Sequence, residues 1–169
     1  MEIIKQLIDL GELFRFLQDW NDLRQTYDNV YTIENRFRLD AYRKEQVLED
    51  TIQTCFLISQ HGLKSSIDNE KTKELRLGIF QIRNHLLNYN FSLDDAKIAA
   101  SRIAYLAKML ETNSKFEKTT LHFDEKKLNR IRDVQLKDDL KILNRLNPIL
   151  PEAFYYWYLT SRLLNKEFL

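Results

Sequence analysis

Apolar residues recur along this chain at alternating steps of four and three, the period of one face of an α-helix. Ile3, Leu7, Leu10, Phe14 and Leu17 share such a face and predict a first helix from Ile3 to about Tyr27, with Asp28 and Asn29 as its break. Gly11 lies inside that helix, where glycine costs ~1 kcal/mol relative to alanine. Val30, Ile33, Phe37 and Ala41 open a second stripe that Leu48, Ile52, Cys55 and Phe56 close, giving a helix from Val30 to His61 capped by Gly62. Its middle, Asp40 to Gln46, is polar and fits either a solvated stretch of helix or a bend.

The most regular stripe is Leu75, Ile79, Ile82, Leu86 and Tyr89, which suits the core of an antiparallel bundle. A new helix restarts at once, with Ser92 as its N-cap and Asp94 and Asp95 favoured at the positive end of the helix dipole. This fourth helix runs from Leu93 to about Glu111, and the polar stretch from Thr112 to Leu121 reads as a loop. A fifth helix from Asp124 to Leu146 carries Leu136, Leu140 and Leu143 on one face. Pro148 and Pro151 punctuate the last junction, and Pro151 fits the first turn of a sixth helix, Glu152 to Glu167.

Composition narrows the class. With only 3 glycines and 2 prolines, the chain lacks the frequent turns that an all-β fold needs. Hydrophobic residues at 44% are too many for a disordered chain. The expectation is an all-α, up-and-down bundle of five to six helices, one domain over residues 1–169. Within it, residues 1–111 form the core bundle and 122–169 a C-terminal helical pair.

The 26 basic and 25 acidic residues leave a net charge of +1, so any affinity for nucleic acid must come from a local patch. No run approaches the ~20 apolar residues of a membrane span, and the charged N-terminal stretch is unlike an export signal; no membrane association is expected. The lone Cys55 excludes an internal disulfide and suits a reducing, cytoplasmic setting. It falls on the apolar stripe beside Ile52, which reads as a small buried residue. His61 and His122 stand apart from other ligand-type residues, and neither a metal site nor a cofactor is expected.

Chemistry gathers where the third helix ends. Arg83, Asn84, His85, Asn88 and Asn90 surround its last turn, with Tyr89 and Phe91 as neighbouring aromatics. The stretch from about Thr72 to Leu110 resembles the motif region of HEPN domains, the helical RNA-associated domains of prokaryotic toxin–antitoxin and defence systems. That family's signature is an arginine, often followed by asparagine, then a histidine four to six residues on. Arg83 and Asn84 match its first half.

The resemblance implies a homodimer with two motifs across a shared groove, and RNA as the ligand. Arg83 would contact phosphate, while Asn84 and Asn88 would hydrogen-bond it or shape the junction. The match departs from the family at Asn88, which stands where the histidine belongs. An amide cannot shuttle a proton near neutral pH, and losing that imidazole removes a factor of roughly 10²–10⁴ in rate. His85 is the alternative catalytic partner for Arg83, but two residues turn a helix by about 200°, away from Arg83. Weak or absent cleavage is therefore expected.

A second unusual feature is Phe154-Tyr155-Tyr156-Trp157-Tyr158, five consecutive aromatics that one helix face cannot bury. Tyr155, Trp157 and Tyr158, with Arg162 one turn on, are expected in the core or at an interface, where aromatics and arginine are enriched. They also support a rival reading, in which the chain is a non-enzymatic adaptor that binds a protein partner through this helix.

Overall fold

A computed structural model of the protein describes residues 2–85, 91–114 and 118–164. All regular structure among them is helical. The α-helices are α1 (Glu2–Leu13), α2 (Trp20–Phe37), α3 (Lys44–Gln60), α4 (Glu70–Ile82), α5 (Leu93–Thr112), α6 (Glu125–Ile131) and α7 (Pro151–Leu164). Short 3-10 segments at Phe14–Phe16, Arg83–His85, Lys118–Leu121 and Asp138–Leu146 join several of them. No helix is long and apolar enough to cross a membrane among the described residues.

The bundle is organised around α5, against which α1, α3 and α7 all pack. Its small residues make this possible: Ala96, Ala100 and Ala104 are fully buried and Ala99 and Ala107 nearly so. Gly11 now has a reason to be in α1, because a Cβ there would lie 2.7 Å from the Cβ of Ala99. The glycine's helix penalty is the cost of bringing the two backbones together. Across this junction Arg102 of α5 donates from Nε to Glu152 of α7 at 3.0 Å, reaches the Gly11 carbonyl at 3.4 Å, and lies over the Phe14 ring. One side chain thus ties three elements.

Several boundaries differ from the sequence expectation. The first helix stops at Leu13, not Tyr27, because Asp19 caps a new one, accepting from the Asn21 and Asp22 amides at 2.7 and 3.3 Å. Asp28 and Asn29 lie inside α2. The predicted helix from Val30 to His61 is broken between α2 and α3, where Leu39 and Asp40 both take left-handed φ values of 57° and 53°. Asn35 holds this bend: its Oδ1 accepts from the Tyr42 amide at 3.2 Å and its Nδ2 donates to the Tyr42 carbonyl at 2.9 Å. The polar middle is a bend.

The predicted helix from Asp124 to Leu146 is also divided. Asn144 clamps the backbone of Leu136, accepting from its amide at 2.7 Å and donating to its carbonyl at 2.9 Å. Leu136 and Leu143 still reach the core, but from an extended stretch and a 3-10 segment. Among the described residues seven α-helices therefore stand where five to six were expected.

Elsewhere the pattern holds. Leu75, Ile79 and Ile82 are buried on α4, while Leu86, Asn88, Tyr89 and the end of the sixth helix lie outside the described residues. Ser92 caps α5 as expected, accepting from the Asp95 amide at 3.1 Å while Asp95 accepts from the Ser92 amide at 2.8 Å. Gly62 takes a φ of +75° after α3. Cys55 is buried, and burial pushes its thiol up to about 12, far from a reactive thiolate.

A candidate nucleic-acid cleft at the Arg83 junction

Arg76, Phe80 and Arg83 follow one another at steps of four and three, so they share one face of α4 and its 3-10 extension. That face is one wall of an open cleft of about 590 Å³. His61 at the end of α3, the loop residues Ser66, Ile67 and Asp68, and Leu93 of α5 complete the lining.

The loop is held from below. Gln60 is almost wholly buried and its Oε1 accepts from the Ile67 amide at 3.1 Å. Asn69 then caps α4, accepting from the Thr72 amide at 2.9 Å. On the far side, Arg83 donates from Nε to the Phe91 carbonyl at 2.9 Å, tying the end of α4 to the start of α5. That bond uses Nε alone and leaves the two terminal amino groups of the guanidinium for a ligand.

The cleft sets two arginines against one carboxylate, Asp68, and carries an exposed ring. Phe80 is 65% exposed between the two arginines, which leaves its ring face open to a ligand. The His61 imidazole is pushed below its usual range, first by burial, then by the positive charges of Arg76 and Lys97, with Asp68 opposing. Lys97 is itself buried, and the same desolvation lowers its ammonium. Two fixed guanidinium charges, a neutral imidazole and a bare aromatic face suit a phosphate and a stacked base.

The sequence-derived site residues separate here. Arg83 lines the cleft, whereas His85 is exposed on the 3-10 segment and is not part of the lining. The side chain of Asn84 and all of Asn88 lie outside the described residues. Arg76 and Phe80 join Arg83 through helical spacing alone, with no motif to mark them in the sequence. His61 looked isolated because its neighbours come from a different helix.

The aromatic run is used inside the chain. Trp157 is fully buried, donating from Nε1 to Ser59 Oγ at 2.9 Å and meeting the Phe56 ring edge-on at 6.1 Å. The Tyr156 hydroxyl donates to the Leu121 carbonyl at 2.7 Å, and Tyr155 packs against Phe123 at 5.7 Å. Successive residues turn by about 100°, so five of them circle the helix. α7 can bury that circle because α5, α3 and the 121–131 segment enclose it. Tyr155 and Trp157 are therefore core residues rather than interface residues.

Tyr158 and Arg162 remain half-exposed, with Arg162 Nη1 3.4 Å from the Tyr158 hydroxyl. Both line a second groove of about 740 Å³ between α3, α7 and the 134–140 segment. Among known proteins, no family model, no curated protein and no solved structure matches this chain.

Proposed function

We propose that the cleft at the Arg83 junction binds single-stranded RNA, and that the chain is a HEPN-like domain of the toxin–antitoxin or defence type with little or no cleavage of its own. The observation that carries this reading is the single face of Arg76, Phe80 and Arg83, opposite His61 in one cleft. Arg76 and Arg83 would each take a phosphate, and Phe80 would stack a base. Such a platform tolerates any sequence, since every base has a π-face. Asn88 in place of an imidazole argues for binding over cleavage. The rings that the adaptor reading needs at the surface are mostly inside the bundle.

Fluorescence anisotropy with a labelled oligouridylate at low salt tests the proposal. Phe80→Ala is expected to weaken binding by roughly 10- to 100-fold, the range for losing one stacked base. Unchanged affinity would remove Phe80 from the site.

Proton linkage supplies a second expectation. In the free protein the imidazole is lowered and neutral near pH 7, while a bound phosphate favours imidazolium, so binding takes up a proton. Affinity should therefore rise as pH falls through the His61 titration. His61→Gln should flatten the profile. A wild-type profile as flat as the variant's would show that no anion sits near the ring.

A further inference from the structure

The distal half of α2 presents apolar side chains at the surface of the described residues. Val30 and Ile33 are 53% and 54% exposed, Phe37 82%, and Leu39 in the following bend 91%. This is a built projection rather than a loose end. Tyr31 and Asn35 bind the Tyr42 backbone, and two consecutive non-glycine residues are kept in the left-handed region, a conformation that costs of order 1–3 kcal/mol each. Arg36, Arg38 and Arg43 surround the apolar tip, with Glu34 and Asp40 as its acids.

The groove beside Tyr158 has the opposite character. Its apolar walls include Phe56, Val134 and Leu140, over the buried Ile52. Glu49, Asp138 and Asp139 bring carboxylates to it, against the cations Lys137 and Arg162. At about 740 Å³ it is large enough for two or three apolar side chains. Projection and groove are also close in the fold, because α3 begins just after the bend and supplies Glu49, Ile52 and Phe56 to the groove wall.

We propose that the protein forms a two-fold dimer in which the α2 projection of each copy enters the α3–α7 groove of the other. The chemistry matches at both levels: exposed Ile33, Phe37 and Leu39 meet an apolar concavity, and the arginines of the projection meet Glu49 and Asp139 at its rim. A reciprocal exchange closes on itself, as a two-fold interface must. It also covers the apolar surface that the isolated chain leaves in water. Phe37 is the anchor, being the most exposed aromatic of the projection.

Light scattering and sedimentation on the full chain test this without reference to RNA. The wild type is expected to be a dimer at tens of micromolar, and Phe37→Glu should raise the dimer dissociation constant roughly thirtyfold or more. A charge-swap pair is decisive. Glu49→Lys/Asp139→Lys and Arg36→Glu/Arg38→Glu should each be monomeric alone, with unchanged helical circular dichroism, and should form a heterodimer when mixed.

In that heterodimer both contacts are again of opposite charge. A monomeric wild type would overturn the proposal. So would charge variants that still dimerise alone or fail to pair when mixed; persistence alone would point to a different contact, such as the shared motif groove that the HEPN resemblance implies.

Discussion

Trp157→Ala is expected to cost about 3–5 kcal/mol of folding stability, the range for removing a large aromatic from a packed core. The indole is fully buried, meets the Phe56 ring and donates to Ser59 Oγ at 2.9 Å. Truncation would leave a cavity between α3 and α7 and a buried hydroxyl without its donor. Each kcal/mol shifts the melting temperature by about 2–4 °C in a domain of this size, so a drop near 10 °C is anticipated. Trp157→Phe keeps most of the packing and should cost far less. A loss below about 1 kcal/mol for the alanine variant would show that α7 does not pack as described.

Glu152→Ala should be nearly as damaging, for an electrostatic reason. Arg102 is 8% exposed, and Glu152 holds its guanidinium through Nε at 3.0 Å. Removing one partner of a buried pair strands the other charge, which costs about 3–5 kcal/mol. The Glu152 side chain keeps 24% exposure, so water reaches the pair and the lower end, about 3 kcal/mol, is expected. Replacing both residues, as Arg102→Met/Glu152→Leu, should recover much of the loss, since no charge is then stranded. Urea unfolding of the two variants checks this. A double variant as unstable as Glu152→Ala would mean that packing, not charge, sets the cost.

How far the sequence could be read depends on what each pattern records. Helical class followed from spacing and from the scarcity of glycine and proline, and so did the Leu75, Ile79 and Ile82 face of α4 and the Ser92 cap. The face of α1 was misread: Ile4, Leu7, Gly11 and Phe14 point inward, while Ile3 and Leu10 are 51% and 48% exposed. Gly11, with no apolar side chain to mark it in the sequence, is part of the buried face through its close approach to Ala99.

The Val30, Ile33 and Phe37 stripe has the correct period for a helix, yet the described residues leave these side chains 53%, 54% and 82% exposed. Periodicity reports an apolar face but cannot say which molecule covers it. At the cleft, Arg83 was visible because a local motif marked it. His61 was not, because only tertiary packing brings the end of α3 to the face of α4.

The salt dependence of RNA binding, wild type against Arg83→Gln, tests the central claim most directly. Each phosphate neutralised on a single strand contributes about −0.7 to the slope of log K against log salt concentration. With both Arg76 and Arg83 on phosphates, the wild-type slope should be at least about −1.4. Arg83→Gln should make it shallower by about 0.7 and weaken binding at every salt concentration. RNA binding with an identical slope in the two proteins, or no salt-dependent binding by the wild type, would contradict a phosphate site at the Arg83 junction.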